Sequence, residues 1–306
     1  MKLVTLTLNP AYDVHVKLAE FRAGHENLAE SVSRDIGGKG INISRALSEN
    51  GVPNLALVVL GEENAADFRA GLESARLDFI ELCHGGRIRE NITIHPDSGD
   101  ETRLSFKGFE CGDELLSEVS ERIGAEAGDI VTFTGSLPVG ISSDAAERFL
   151  CDLRGRGVKL VIDSKSISLD ALKRIKPWLI KPNAEEIAAY LGGEPDEAII
   201  EETALRLNSE GIENVMVSLG GDGAILAAGG KIHIARPPRI EALSTIGAGD
   251  SSIAGFIAAY VSGSDTVGCL LSAVSYGTAA CLLEGTNPPR GGDVSQIKSG
   301  VIITEK

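Results

Sequence analysis

Apolar residues along the chain fall into short runs rich in Val, Ile and Leu, separated by stretches with helical spacing. Residues 3–8 read as a strand, 40–51 as a helix closed by Gly51, 55–60 as a strand and 65–75 as a helix. Residues 129–134 form a buried strand, followed by a helix over 143–156, a strand over 159–163 and a short strand over 178–181. A helix over 184–191 closes at Gly192-Gly193, and another ends over 204–210. Strands at 214–218 and 223–228 and helices at 250–261 and 267–283 complete the series. Apolar strands alternating with helices predict an α/β fold, with a central, mostly parallel sheet covered by helices on both faces.

Two stretches break the rhythm. Residues 14–34 and 87–109 contain alternating runs such as Asn91-Ile92-Thr93-Ile94-His95 and Thr102-Arg103-Leu104-Ser105-Phe106. Between these lies Pro96-Asp97-Ser98-Gly99-Asp100, a strong turn signal. They predict short antiparallel strands inserted into the α/β core, two insertions that combine into one small sheet.

Composition bounds the function. The chain has 306 residues, 43% of them hydrophobic, 36 glycines and a formal net charge of −15. That is ample for a packed core and far from a disordered composition. The acidity argues against nucleic acid and anionic membranes as partners. Taken alone, it also argues against a polyanion such as ATP. No apolar run has the roughly 18–20 residues of a membrane helix, and the N-terminus lacks a signal-peptide pattern, so a cytoplasmic location is expected. The five cysteines are odd in number, widely spaced and without C-x-x-C, and the five histidines form no H-x-x-x-H pair. Neither a disulfide framework nor a zinc motif is expected.

Glycine-rich segments carry the candidate chemistry. Gly37-Gly38-Lys39-Gly40-Ile41-Asn42 precedes a helix and offers bare backbone N–H groups to a polar ligand, or serves only as a tight turn. It is neither a Walker A loop nor a G-x-G-x-x-G fingerprint. Ser244-Thr245-Ile246-Gly247-Ala248-Gly249-Asp250 opens a helix of small residues. There the N–H groups of 247–249 and the helix dipole would stabilise developing negative charge, although Asp250 by itself suits ordinary capping. Ser218-Leu219-Gly220-Gly221-Asp222-Gly223 is a hairpin turn or a phosphate-contacting loop. Asn183-Ala184-Glu185-Glu186 puts hard oxygens three residues apart, suited to Mg²⁺ through water or to a helix cap.

In this order these segments resemble the ribokinase-like (PfkB) family of carbohydrate kinases over almost the whole chain. Asn9-Pro10-Ala11-Tyr12-Asp13, Gly86-Arg87-Ile88-Arg89-Glu90-Asn91, Gly135-Ser136-Leu137-Pro138 and Pro177-Trp178-Leu179-Ile180-Lys181-Pro182-Asn183 resemble its branch with phosphorylated ketose acceptors. The resemblance implies one Rossmann-like ribokinase domain over 1–306, with a small β-sheet lid from about 12–34 and 87–109. It implies transfer of phosphate from ATP to D-fructose 1-phosphate, with tagatose 6-phosphate as the alternative acceptor and a non-catalytic sugar-phosphate-binding regulator as the second. Asp250 matches the catalytic base, and Gly247, Ala248 and Gly249 the anion hole. Asp13, Gly38, Lys39, Asn42 and Ser136 match the sugar site, with Arg89 and Arg103 near the substrate phosphate. Lys181, Asn183, Ser218, Gly220, Gly223, Ser244 and Gly249 match the ATP site, and Asn183 and Glu186 the Mg²⁺ site, through water. An adenine pocket near 277–287 and a homodimer joined through the lids are further implications. Glu90 is more acidic than usual for this branch, Ser44 replaces Ala, and His25 and Asn27 fall where some relatives have Lys.

On this reading backbone N–H groups, a helix dipole, one Mg²⁺ and a few basic side chains hold two anions, so the net charge says little about the cleft.

Overall fold

The computed structural model describes residues 1–193 and 195–306. In chain order the first elements are β1 (Leu3–Thr7), β2 (Ala11–Glu20), β3 (Ser31–Gly37), α1 (Lys39–Glu49), β4 (Leu55–Gly61), α2 (Ala65–Ser74) and β5 (Phe79–His84). Then follow β6 (Arg89–Ser98), β7 (Thr102–Leu104), α3 (Glu114–Ile123), β8 (Ile130–Thr134), α4 (Ser143–Gly155), β9 (Lys159–Asp163), α5 (Leu169–Ile175), β10 (Leu179–Ile180) and α6 (Ala184–Leu191). The last are α7 (Glu197–Ser209), β11 (Asn214–Ser218), β12 (Ala224–Ala228), β13 (Lys231–Arg236), α8 (Ala248–Val261), α9 (Thr266–Ala280), α10 (Gly291–Lys298) and β14 (Ile302–Glu305).

The large sheet has the order β14-β13-β12-β11-β10-β9-β8-β1-β4-β5. From β11 to β5 every neighbour pair is parallel, and β12, β13 and β14 extend that edge antiparallel. Side chains alternate across it. Leu6, Val131, Phe133, Leu160 and Ile162 face the layer holding α3, α4, α5 and α7, while Leu3, Ile130 and Val161 face that of α1, α8, α9 and α10. Helix starts are fixed locally: Ser142 and Ser168 side chains accept from the backbone N–H groups of Ala145 and Ala171.

The strand order reverses at β1. The chain goes from β1 to β4 on one side and later to β8 on the other. Such a switch point opens a crevice at the carboxyl ends of parallel strands. The residues that follow β1, β8, β9, β10 and β11 therefore face one another.

The two insertions do form one sheet, of order β3-β2-β6-β7. Its strands are not all antiparallel as expected. β2–β3 and β6–β7 are antiparallel hairpins, but β2 and β6 pair in parallel, Asp13 opposite Asn91 and Val16 opposite Ile94. Both leave the same end of the large sheet, β2 after β1 and β6 after β5, so they run the same way. The turn is also shorter than its sequence signal: Pro96 and Ser98 lie in β6, paired with Leu18 and Glu20 of β2. β7 ends its pairing with β6 at Ile94, so Pro96, which has no N–H, faces an open edge there.

Gly223 closes the β11–β12 hairpin at φ 91°, and a Cβ there would stand 2.0 Å from the carbonyl oxygen of Ala235. Gly223→Ala is expected to destabilise the protein by on the order of 2–3 kcal/mol, read as a shift of the urea midpoint at constant slope.

Candidate active site

Asp250 sits in the first turn of α8 and is 6% exposed. Its carboxylate does not cap its own helix. Oδ2 accepts a hydrogen bond from Asn42 Nδ2 on α1 at 2.8 Å. Burial pushes its pKa up to about 6, with Lys39 and Asn42 pulling downward and Asp163 adding to the rise. A buried acid with a pKa near neutrality is poised to exchange a proton. The neighbouring Asn42 Oδ1 is buried without a partner in the protein, an acceptor that a ligand hydroxyl would satisfy.

Gly247 is the N-cap of α8, in the left-handed region at φ 79°. The Ala248 N–H is engaged by Thr245 O at 3.3 Å, whereas Gly249 and Asp250, in the first turn, have no intrahelical acceptor for theirs. Lys181, at the end of β10, brings its ammonium close to this point: a Cβ on Gly249 would lie 3.0 Å from Lys181 Nζ.

Asp163, at the end of β9, organises the cations, and the motif reading did not single it out. It is 6% exposed, 3.0 Å from Lys39 Nζ and 3.5 Å from Lys181 Nζ. Burial alone would raise its pKa, but Lys181 and Lys39 outweigh burial and hold it below the ordinary carboxylate value. In return Lys39 lies above the ordinary lysine value, since Asp163 and Asp250 overcome its own desolvation. The available signal was positional: an acid at the carboxyl end of a buried parallel strand.

On the small-sheet side, Asp13 Oδ1 accepts from Asn91 Nδ2 at 3.2 Å and pairs with Arg103 Nη2 at 3.5 Å. Gly37 leaves room for this carboxylate, since a Cβ there would fall 2.1 Å from Asp13 Oδ2. Gly38 is the N-cap of α1, so Lys39 and Asn42 both lie in that helix's first turn or just after it. Arg89 is largely engaged. Nε donates to Pro10 O (3.4 Å), Nη1 to Phe106 O (2.9 Å), and Nη2 to Asn9 O (3.0 Å) and Ser136 Oγ (3.2 Å). Of its five N–H groups one is left for a ligand. Arg89 thus ties the small sheet to the ends of β1 and β8, and Arg103, 47% exposed, is the freer cation. Glu90 is turned away from this cluster and pairs with Arg34 at 2.8 Å.

A cleft of about 850 Å³ opens beside α8. Lys181, Asn183, Ser218, Gly220, Gly223 and Gly249 all line it, and Gly277, Thr278 and Cys281 of the expected adenine region form part of its wall. Ser244 does not. Its hydroxyl accepts from Ile246 N–H within the turn, and Thr245 lines the cleft instead. Asn183 and Glu186 form a reciprocal capping box at the start of α6, at 2.8 and 3.1 Å. Glu186 keeps Oε1 outside the cap, 3.7 Å from Lys165 Nζ. Among the described residues no group of three or more His, Cys, Asp or Glu could hold a metal. These oxygens fit a magnesium ion that phosphate and water would chiefly hold, and do not fit a protein cage.

The profile of the pfkB family of carbohydrate kinases matches residues 6–290. The chain belongs to that family. It is 35% identical over 266 residues to a 1-phosphofructokinase of Haemophilus influenzae, covering 85% of each chain. It is 31% identical over 261 residues to that of Escherichia coli, covering 84% of this chain and 83% of the relative. The fold is that of Escherichia coli phosphofructokinase-2, at a TM-score of 0.91 over 97% of this chain and 98% of the other, with 24% identity. Thermotoga maritima ribokinase superposes at 0.79 over 98% and 99%, with 17% identity. The protein is therefore a carbohydrate kinase, a phosphotransferase with an alcohol group as acceptor. Kinases of this family use ATP as co-substrate. No helix of the described residues is long and apolar enough to cross a membrane.

Proposed function

We propose that this kinase transfers the γ-phosphoryl group of ATP to the C6 hydroxyl of D-fructose 1-phosphate, giving D-fructose 1,6-bisphosphate and ADP. The observation that carries this reading is a buried carboxylate, Asp250, held by Asn42 of α1, with a second cluster, Asp13 with Asn91 and Arg103, packed against Gly37 just before the same helix. The first suits an acceptor hydroxyl, and the second suits an acceptor that already bears sugar hydroxyls and a phosphate. The identity of 31–35% to proteins named 1-phosphofructokinase supports the same substrate.

Phosphoryl transfer has a loose transition state, so catalysis is positioning and charge neutralisation. Asp250 takes the hydroxyl proton as the hydroxyl oxygen attacks phosphorus, and Asn42 Oδ1 accepts from another hydroxyl of the sugar. The open N–H groups at the start of α8 and the Lys181 ammonium meet the charge on the transferred group. Asp13 and Asn91 hold sugar hydroxyls, while Arg103 and the remaining Arg89 N–H pair with the 1-phosphate. A magnesium ion associated with Asn183 and Glu186 would supply further neutralisation of the ATP phosphates. ATP occupies the 850 Å³ cleft. In this reading the chain is one kinase domain over 1–306, and the small sheet is its lid, closing over the acceptor to exclude water. The lids also join two copies, through a sheet whose Val32 and Leu104 are 62% and 47% exposed.

Coupled ADP release tests the substrate. kcat/KM is expected to be at least about tenfold higher for fructose 1-phosphate than for tagatose 6-phosphate, the scale of one pocket contact. Equal values, or a preference for the tagatose ester, would overturn the assignment.

A further inference from the structure

Along the parallel β2–β6 seam, beyond Asp13 and Asn91, two imidazoles meet. His15 Nδ1 lies 2.9 Å from His95 Nε2, with the rings stacked at an interplanar angle of 23°. On the far side of His95, Glu101 Oε2 lies 3.0 Å from Nδ1. A carboxylate at Nδ1 keeps the proton there and leaves the Nε2 lone pair directed at His15. In the protein alone, His15 donates to that lone pair from Nδ1. Moving its proton to its own Nε2 leaves two lone pairs facing one another, which a small turn of the rings directs at one ion, with no net change in protonation.

Two imidazole nitrogens bound at ~2.0–2.1 Å to one ion, at a right angle, stand about 3 Å apart. The observed 2.9 Å is a hydrogen-bond separation, and it lies within about 0.5 Å of the spacing of two adjacent ligands on an octahedral or tetrahedral ion. A carboxylate on the remote nitrogen of a liganding histidine is the usual outer-sphere support of such sites. Both imidazoles are partly exposed, which leaves room for water as the remaining ligands.

We propose that His15 and His95 form a two-histidine site for a divalent transition-metal ion of the Zn²⁺ or Ni²⁺ type, oriented by Glu101 and completed by water. Imidazole nitrogen suits these ions, not Mg²⁺. The ion would cross-link the two hairpins of the small sheet. His15 lies two residues along β2 from Asp13, on the same face, so the cross-link sits beside the Asp13–Asn91 pair.

Calorimetric titration of the full chain with NiCl₂, in chelator-free buffer containing Mg²⁺, is expected to show one site in the micromolar range. His15→Ala and His95→Ala should each abolish it, and Glu101→Gln should weaken it about 10–100-fold. Saturating Ni²⁺ should raise the Tm of the wild type and leave that of His95→Ala unchanged. A titration with ZnCl₂ uses the Cys83→Ser, Cys151→Ser variant, since both thiols are exposed. Circular dichroism checks folding, and His15→Gln replaces His15→Ala if the latter does not fold. No uptake by the wild type, or equal affinity in the two histidine variants, would overturn the site. The histidines take no part in the proposed phosphoryl transfer, so ADP release by the same samples tests that reading separately.

Discussion

Asp250→Asn is expected to lower kcat by about 10²–10⁴-fold, the range in which a positioned general base contributes. The substitution keeps the size of the side chain and an oxygen that can accept from Asn42 Nδ2, now 2.8 Å from Asp250 Oδ2. It also removes a carboxylate whose burial disfavours its charged form. The folded state should therefore survive, with stability at neutral pH unchanged or higher, and the KM for ATP should move only a few-fold. Steady-state kinetics together with a thermal melt read both. Turnover within tenfold of wild type would show that Asp250 does not carry the proton.

The same carboxylate sets a pH dependence. Asp250 titrates at about 6, above its ordinary value because it is buried. Only its ionised form accepts a proton, so kcat should fall about tenfold per pH unit below 6, and this limb should vanish from the residual rate of Asp250→Asn. Its effect on stability has the opposite sense. The native state binds this proton more tightly than the unfolded chain, so the contribution is fully present below the unfolded value near ~3.9. It is lost as pH rises through about 6.

Much of this was legible in the sequence, because the parallel strands are continuous Val/Ile/Leu runs and the glycine motifs sit where those strands end. What the sequence concealed is mostly relational. β2 and β6 each alternate like antiparallel strands, and nothing local tells that they pair with each other in parallel. Asp250 and Asn183 both read as possible helix caps. Packing separates them, since Asn183 does cap α6 while Asp250 is claimed by Asn42 from another helix. α3 was legible too: Leu115, Leu116, Val119 and Ile123 repeat at helical spacing and are buried. β14 was not, since it pairs only with the sheet edge at β13 and Ile302 stays 65% exposed. Arg89 stands in a motif that suggests a phosphate contact, yet three backbone carbonyls from two segments, Asn9-Pro10 and Phe106, use most of its donors. Asp163 belongs to no glycine motif and acquires its role only when Lys39 and Lys181 arrive from other segments.

That role has a distinctive kinetic signature. Asp163 holds two ammonium groups and also repels the Asp250 carboxylate, adding to its raised pKa. Asp163→Asn removes both effects. Lys39 then has Asp250 as its main remaining anion, and the repulsion from Asp163 is gone. Asp250 should titrate lower, so the acid limb of kcat is expected to move below pH 6 while kcat at its plateau falls about 10²-fold, the low end for loss of a preorganised electrostatic group. Stability at pH 7 should fall by about 2–3 kcal/mol. That is less than the ~3–5 kcal/mol for breaking a fully buried pair, because the Lys39 side chain keeps 39% of its surface exposed and the buried Lys181 retains the Asp250 carboxylate nearby. The sign with pH is that of a depressed carboxylate. The contribution of Asp163 is present above its unfolded value near ~3.9 and is lost as pH falls through its lower folded value, so the stability gap between wild type and variant should narrow in acid. A purely structural Asp163 would lower kcat or stability and leave the acid limb where it was. An unmoved limb in Asp163→Asn would therefore reduce this residue to packing, whereas a moved limb, with Lys39→Met and Asp163→Asn non-additive in a double-mutant cycle, would establish that it tunes the base through the lysines.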